Sequence, residues 1–298
     1  MDNVRLSNVI ICLKSLPNLS STYKQLFHYT DDEKKEKIVD GDNIVLKLSR
    51  VDNFLDKNEG YQILEPYYRA CGHLYETGVI NKDFYLTLIN VKGKDLKDKF
   101  SNAWIICFSK NGNSEFLKRR YAAGDGWILG ISFERMHTAD TGLFDCIDHM
   151  DGNYSDFASP EFNGDFSLYE VEYSFDKMFR FIAESLTEYY QIYKLMQEYD
   201  DKTKKEIVVD IVNWLEAFCL RYKSPIYEPE EEIRLICKIG ADFSFWEDRE
   251  NGIQVKSSID CGEDEVEIIL DKNWLTRETQ NLNAYFDTEL NKMYDIVY

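Results

Sequence analysis

Proline and glycine are scarce in this chain, whose 298 residues include only 5 prolines and 15 glycines. Together with 44% hydrophobic residues, that scarcity excludes a chain that is disordered throughout and predicts a sizeable buried core. Long apolar runs are lacking as well, because the apolar stretch at 9–13 is far too short to span a bilayer and Lys14 ends it. We therefore expect a cytoplasmic protein with no membrane partner.

Basic residues are outnumbered by acidic ones, 35 against 54, which leaves a net charge of −19. Such a charge argues against a general affinity for nucleic acid, whose phosphates need a basic surface, although it leaves a local basic patch open. Paired cysteines are missing too, since the seven cysteines form no CxxC motif and their number is odd. We interpret them as reduced core thiols of a cytoplasmic protein.

Common catalytic signatures are also missing. The chain has no GxGxxG, Walker, GxSxG or HExxH motif, so the commoner nucleotide-binding and hydrolase signatures are excluded. The stretch from His137 to Asp151 contains metal-ligand residue types, but its two histidines are twelve positions apart and fit no usual zinc spacing. We expect no metal there, and a metal-dependent hydrolase built on this stretch is kept only as an alternative.

The pattern of apolar residues predicts one domain of the α+β class over residues 1–298. Alternating or continuously apolar runs predict strands at 26–30, 44–49, 103–109, 127–133, 168–173, 233–239, 243–246, 253–255 and 266–270. Helical spacing predicts helices at 61–75, 83–91, 114–121, 176–199, 203–222 and 273–293, and the segment at 135–166 reads as a long excursion. A short turn joins the two longest helices, so we expect an antiparallel helical hairpin at about 176–222.

The most informative stretch is 227–236, where four glutamates and a proline lead into an apolar run. Glu230 and Glu232 are two residues apart, so in an extended chain both carboxylates and the Arg234 guanidinium would share one face. Two acids and a base opposite buried aliphatic residues would suit the wall of a polar cleft. The alternative is an acidic turn followed by a solvated strand edge with one ion pair.

Several segments, taken in order, resemble a large bacterial family of formerly unknown function, which is a divergent branch of the ADP-ribosyltransferase superfamily. That family opens with a His-Tyr-Thr strand, continues with a Ser-Phe-Ser strand and a Tyr-Ala helix, and closes on Glu-x-Glu-x-Arg-Leu. The matching residues, in order, are Leu26-Phe27-His28-Tyr29-Thr30, the strand from Ile44 to Ser49 with the loop Asn53-Phe54-Leu55-Asp56, Cys107-Phe108-Ser109, Tyr121-Ala122, Gly130-Ile131-Ser132-Phe133, and then Lys223, Tyr227 and Glu230-Glu231-Glu232-Ile233-Arg234-Leu235.

The chain departs from the family pattern in two places. Phe54-Leu55 separates Asn53 from Asp56 where the family has Asn-Asp-Pro, and the tryptophan that often precedes Tyr-Ala is missing. Both departures leave open an inactive member of the family.

The resemblance implies an ADP-ribosyltransferase-like pair of small antiparallel sheets with flanking helices and with NAD in the cleft between the sheets. It implies that His28, with Thr30 on the same strand, binds NAD through a ribose hydroxyl, and that Tyr121 stacks on the nicotinamide ring. It also implies that Glu232 binds the hydroxyl of the nicotinamide ribose and favours an oxocarbenium-like transition state.

Elementary chemistry assigns similar roles to these residue types. Breaking the glycosidic bond leaves positive charge on the ribose, which a fixed carboxylate stabilises, and an aromatic face holds the departing ring. Glu230 would position or deprotonate the acceptor nucleophile. Arg119 or Arg120 would meet the pyrophosphate.

The sequence thus leads to two main hypotheses. The first is an NAD-dependent ADP-ribosyltransferase that modifies a protein or nucleic acid, as a toxin or phage-defence effector, with an antitoxin or a second copy of the chain as a partner. The second is a binding or regulatory module that keeps the fold but has lost catalysis.

Overall fold

The computed structural model of the protein describes residues 25–51, 58–100, 103–122, 126–132, 164–194, 201–239, 245–249, 252–257 and 265–280. These residues contain eleven strands and seven α-helices, so the predicted α+β class is confirmed. The strands are β1 (Gln25–Thr30), β2 (Val39–Asp40), β3 (Asn43–Arg50), β4 (Ala103–Ser109), β5 (Trp127–Ser132), β6 (Gly164–Glu170), β7 (Glu232–Ile239), β8 (Phe245–Asp248), β9 (Ile253–Ser257), β10 (Val266–Asp271) and β11 (Leu275–Gln280). The helices are α1 (Asp32–Ile38), α2 (Leu64–Glu76), α3 (Lys82–Leu88), α4 (Gly93–Phe100), α5 (Glu115–Tyr121), α6 (Phe175–Tyr193) and α7 (Asp201–Cys219).

All strand pairs among the described residues are antiparallel, and β4 is their branch point. One edge of β4 pairs along its whole length with β7. The other edge is divided, because β3 pairs with it at Trp104 and Ile105 while β1 pairs with it at Ser109. The sheet therefore has one branch through β1, β5 and β11 and another through β3, β10, β9 and β8, both sharing β4.

The two faces of β4 belong to two different cores, because successive side chains of a strand point in opposite directions. Trp104, Ile106 and Phe108 pack with the buried aliphatic residues of the β3 branch. Ala103 and Ile105 pack instead against the buried residues of helices α2, α3, α6 and α7. Burial on both faces explains why the sequence of β4 is apolar throughout.

Helices α6 and α7 lie on the second of these cores and contact each other through side chains. Phe181 of α6 packs against Trp214 and Phe218 of α7 with ring centroids 6.1 and 5.2 Å apart, and Tyr189 hydrogen-bonds to Asp210 at 3.4 Å. Phe181, near the start of α6, contacts residues 214 and 218, whereas Tyr189, further along α6, contacts the earlier residue 210 of α7. The two helices therefore run antiparallel.

The aromatic residues of α6 are too many for one buried stripe, and the sequence predicts that some contact other elements. Phe179 packs against His73 of α2 at 5.6 Å, and Tyr193 stacks on Phe84 of α3 at 4.8 Å. With Phe181 on α7, they distribute over three neighbouring helices, which confirms the prediction.

Two elements differ from the sequence prediction. The helix predicted at 273–293 is wrong where it is described, because Leu275–Gln280 is a strand that pairs with β5. Pairing with an open sheet edge outweighs the weak helical spacing of this segment. Helix α4 was not predicted, since it has only eight residues and five of them are charged. The excursion at 135–166 lies mostly outside the described residues, as do His137 to Asp151, residues 53–56 and positions 281–293.

Candidate functional site

Five ionisable side chains from three separate segments meet at the start of β7. Lys223 Nζ lies 2.6 Å from Glu230 Oε2, 3.0 Å from Glu232 Oε2 and 3.9 Å from Glu59 Oε2. Arg234 Nη1 lies 2.8 Å from Glu59 Oε1 and closes the cluster. All five residues are buried, which makes this charge cluster unlike a solvated strand edge. The alternative of an acidic turn with a solvated edge is therefore wrong.

The backbone between the two glutamates is not extended. Glu230 ends a 3₁₀ turn at Pro225–Glu230, Glu231 has φ 45° and ψ 49°, and Glu232 begins β7. Left-handed backbone is unfavourable for a residue with a Cβ and needs support from its surroundings. Glu230 and Glu232 do converge on one ammonium group, but the reversal at Glu231 brings them together rather than strand alternation.

The end of β4 and the loop after it supply that support. The Ser109 hydroxyl donates to the carbonyl of Glu230 at 2.8 Å, and the Ser114 hydroxyl donates to the carbonyl of Pro229 at 3.5 Å. The Lys110 amide donates to the carbonyl of Glu231 at 3.0 Å. Each carbonyl of the turn from Pro229 to Glu231 thus has a partner on the segment that leads from β4 into α5.

Glu232 is held on both of its carboxylate oxygens. Arg234 Nε donates to Oε1 at 2.7 Å, and Arg234 Nη2 donates to Oε2 at 3.3 Å. Burial alone raises the pKa of Glu232, but the charges of Arg234 and Lys223 outweigh it, and a hydrogen bond from the Cys107 thiol adds to them. The net pKa lies well below its ordinary value, so this carboxylate is ionised and fixed in place.

Glu230 is held more loosely. Its Oε2 accepts from Lys223 at 2.6 Å, while its Oε1 accepts from the Tyr121 hydroxyl at 3.2 Å. Burial raises the pKa of Glu230; Lys223 lowers it and Glu232 raises it again, and the net direction is upward. Tyr121 itself is 44% exposed, so it connects the buried cluster with the surface.

Tyr173 is a site residue for which the sequence carries no signal. Its hydroxyl oxygen accepts a hydrogen bond from the Glu232 amide at 2.9 Å. Burial, and to a smaller extent the neighbouring carboxylates, raise the pKa of Tyr173. Glu59 was equally hidden, because it lies in a polar stretch where nothing distinguishes a buried glutamate from a solvated one. Lys223 belongs to the region of family resemblance, but its role as the centre of the cluster depends on folding.

His28 lies away from the charge cluster. On β4, Ser109 pairs with Phe27 of β1 on one side and with Glu232 of β7 on the other, so these three side chains lie on one face of the sheet. His28 follows Phe27 along β1 and therefore points to the opposite face. There the His28 ring packs against Phe108 with centroids 6.0 Å apart. We expected β1 to lie beside β7 with His28 and Glu232 facing one cleft; this prediction is wrong, because β4 separates the two strands and the alternation turns His28 away. The catalytic site that the resemblance implies, with His28 and Glu232 on one NAD molecule, is therefore not formed.

His28 instead supports the branch point of the sheet. Its Nδ1 lies 3.1 Å from the carbonyl oxygen of Cys107, where the edge of β4 passes from β3 to β1. Burial lowers the pKa of His28, so the ring is neutral and its Nδ1–H donates to that carbonyl. Thr30 follows on the same face and is buried, with no hydrogen-bond partner for Oγ1 among the described residues.

The two arginines that the sequence assigned to pyrophosphate binding lie in the last turn of α5. Both are exposed, and the Arg120 guanidinium lies 5.5 Å from the centroid of the Tyr121 ring. Arg120 is therefore beside the exposed end of the cluster.

Comparison with known proteins adds no assignment, since no family model, curated protein or solved structure matches the chain. Within the described ranges, the helices are all too short or too polar to cross a bilayer. The same ranges contain no group of three or more histidine, cysteine or acidic residues arranged to hold a metal ion.

Proposed function

We propose that this protein is an NAD-dependent ADP-ribosyltransferase whose active site is the carboxylate and tyrosine cluster at the start of β7. The observation that carries this proposal is the 3.2 Å contact between the Tyr121 hydroxyl and Glu230, residues 109 positions apart in the chain. The family resemblance places both in one site, and this contact supports it. The strands that surround the cluster would then be the divergent ADP-ribosyltransferase-like scaffold.

The charge of the cluster suits the chemistry. Three carboxylates against two cations leave one negative charge when all five groups are ionised. When the C1′–N bond of NAD breaks, both electrons stay with the nicotinamide nitrogen and C1′ becomes cationic. A fixed negative charge in a water-poor site stabilises that cation. The nucleophilic atom of the acceptor then bonds to C1′, and its proton passes to Glu230 or to water.

The surrounding side chains would divide the binding of NAD. Tyr121 offers an exposed ring for the nicotinamide, and Arg120 beside it offers a positive charge for the pyrophosphate. In the family's scheme Glu232 holds the ribose hydroxyl. His28 and Thr30 lie on the other face of the sheet, so the contacts with NAD that the resemblance implies for them are not part of this proposal.

The acceptor in this proposal is a macromolecule, and a toxin or phage-defence role with an antitoxin or a second copy as partner belongs to it. The net charge of −19 makes a protein or small-molecule acceptor easier to approach than nucleic acid.

A second candidate is a binding or regulatory module without catalysis. It is favoured by the paired state of Glu232, whose two oxygens are occupied by Arg234 and Lys223. A carboxylate in that state has little free capacity for a substrate.

Incubation of the purified protein with NAD separates the two candidates. We expect chromatography to detect released nicotinamide, and we expect Glu230→Gln to slow the release by about a hundredfold or more. Glu228→Gln is the matched control, because Glu228 is an exposed residue of the same 3₁₀ turn. Absence of both nicotinamide release and NAD binding by calorimetry in the parental protein would support the module instead.

A further inference from the structure

Glu232 cannot meet a substrate without breaking a buried ion-pair network. Its partner Arg234 is fully buried and is also bound by Glu59 at 2.8 Å and by the carbonyl of Leu220 at 3.0 Å. Turning the Glu232 carboxylate toward a ligand would break the hydrogen bonds that it accepts from Arg234 Nε and Nη2, and Glu59 alone would then pair with the buried guanidinium. Loss of hydrogen bonds to a buried charged group is unfavourable.

Glu230 is in the opposite situation. Among the described residues, the Tyr121 hydroxyl at 3.2 Å is the sole hydrogen-bond partner of Glu230 Oε1. That contact is long, and Tyr121 is 44% exposed. A ligand hydroxyl that replaces the Tyr121 hydroxyl would reach Oε1 while the bond between Oε2 and Lys223 stays intact.

The backbone of Glu230 is fixed, although its buried Oε1 is bound only by the partly exposed Tyr121 among the described residues. The Ser109 hydroxyl holds the Glu230 carbonyl at 2.8 Å, and the next residue adopts the left-handed conformation. A carboxylate that is aimed in advance stabilises a developing charge without reorganising during the reaction.

We infer that Glu230, and not Glu232, is the carboxylate that contacts the substrate, and that Glu232 is a positioning residue acting through Lys223. This assignment rests on the proposed function. Glu230 faces C1′ of the ribose as the C1′–N bond breaks and both electrons pass to the nicotinamide nitrogen. Glu232 and Arg234 keep the Lys223 ammonium where it orients Glu230 Oε2.

The pH dependence of nicotinamide release tests the assignment, because Glu230 must be ionised to stabilise a cation. The raised pKa of Glu230 predicts that kcat/KM falls toward acid pH within the range that an assay covers. Glu232 has a pKa well below its ordinary value, so its protonation does not produce a fall of kcat/KM (an acid limb of the pH profile) in this range. The groups that face Glu230 and influence its titration are Lys223, Glu232, Arg120, Tyr121 and Tyr173.

We expect Glu230→Gln to lower kcat by about a hundredfold or more and to remove the acid limb. Glu228→Gln should keep both the parental rate and the limb. A folded Glu230→Gln protein with the parental rate and acid limb would overturn the assignment. If circular dichroism shows Glu230→Gln to be unfolded, Glu230→Asp replaces it; a lower kcat with the limb retained supports the assignment, and an unchanged kcat overturns it.

A binding measurement separates failure of this assignment from failure of the proposed function. Protein with ¹³C-labelled glutamate carboxyl groups is titrated by NMR with and without 1-methylnicotinamide, a cation that stands in for the ring of NAD. We expect the cation to lower the apparent pKa of Glu230 and leave Glu232 unchanged. If the parental protein releases no nicotinamide but shows this shift, the proposed activity fails, whereas Glu230 remains the carboxylate of the cluster that contacts a bound cation. Absence of the shift overturns the assignment.

Discussion

Glu231 has the least favourable backbone conformation near the charge cluster. Among the described residues, it is the only one other than glycine with a positive φ. Its left-handed geometry turns the chain so that the carboxylates on either side reach Lys223. Strain of this kind is found at sites where the surrounding structure holds a residue in place. Here the hydrogen bonds from Ser109 and Lys110 supply that restraint.

Two substitutions at this position measure the strain. Glu231→Gly and Glu231→Ala both remove the side chain, but only glycine adopts a positive φ without a Cβ clash. We expect the glycine variant to be more stable than the alanine variant by about 1 kcal/mol in urea denaturation. An alanine variant as stable as the glycine variant would contradict a strained turn.

Replacement of Glu232 tests the buried ion pair. A glutamate that faced a cleft could be replaced with little change in stability, but Glu232 is buried against Arg234, so we expect Glu232→Gln to destabilise the protein. Removing one partner of a buried pair costs about 3–5 kcal/mol. Urea denaturation near neutral pH should show such a loss for Glu232→Gln, and Glu228→Gln should unfold like the parental protein.

The parental protein and Glu232→Gln should differ less in unfolding free energy at acid pH than near neutral pH. A carboxyl group whose pKa is lower in the folded than in the unfolded state stabilises the fold above its unfolded pKa, and this stabilisation disappears as the pH falls toward the folded value. The net pKa of Glu232 is lowered in this way. The stability difference between parental protein and Glu232→Gln should therefore be largest above about pH 5 and shrink below about pH 4. A difference that grows in acid would contradict an ionised Glu232.

Among the elements, β4 decides most of the architecture. It separates β1 from β7, divides its edge between β1 and β3, and turns one face to each core. Helices α6 and α7 pack on one of these cores, and Phe181 is their main aromatic contact.

Truncation of Phe181 tests the packing between the two helices. We expect Phe181→Ala to lower the unfolding free energy by about 2–4 kcal/mol, because it removes the ring of α6 that contacts both Trp214 and Phe218 of α7. Val209→Ala on the same pair of helices is the control. Val209 is 56% exposed, and its truncation should change the stability by less than about 0.5 kcal/mol. Equal losses in the two variants would refute this packing.

At the scale of the whole molecule, the net charge of −19 sets the response to salt. Repulsion among surface carboxylates destabilises a compact acidic protein, and salt screens it. The buried cluster is screened much less because water and ions do not surround it. We expect Tm to rise as NaCl is increased from about 0.01 M to about 0.5 M, over which the Debye length falls severalfold. A Tm that falls over this range would show that attractive surface pairs outweigh the repulsion.

The sequence by itself determined the α+β class and most of the strands and longer helices, because alternation and helical spacing are properties of residues close together in the chain. The family resemblance grouped Glu230, Glu232 and Tyr121 with His28 and Thr30, and the structure brings the first three together while placing His28 and Thr30 on the other face of the sheet. Only the tertiary structure decided that β4 lies between β1 and β7, that Glu59 and Tyr173 join the cluster, and that Leu275–Gln280 is a strand. Those outcomes depend on pairing and burial between segments distant in sequence, where local periodicity carries no information about which face meets which partner.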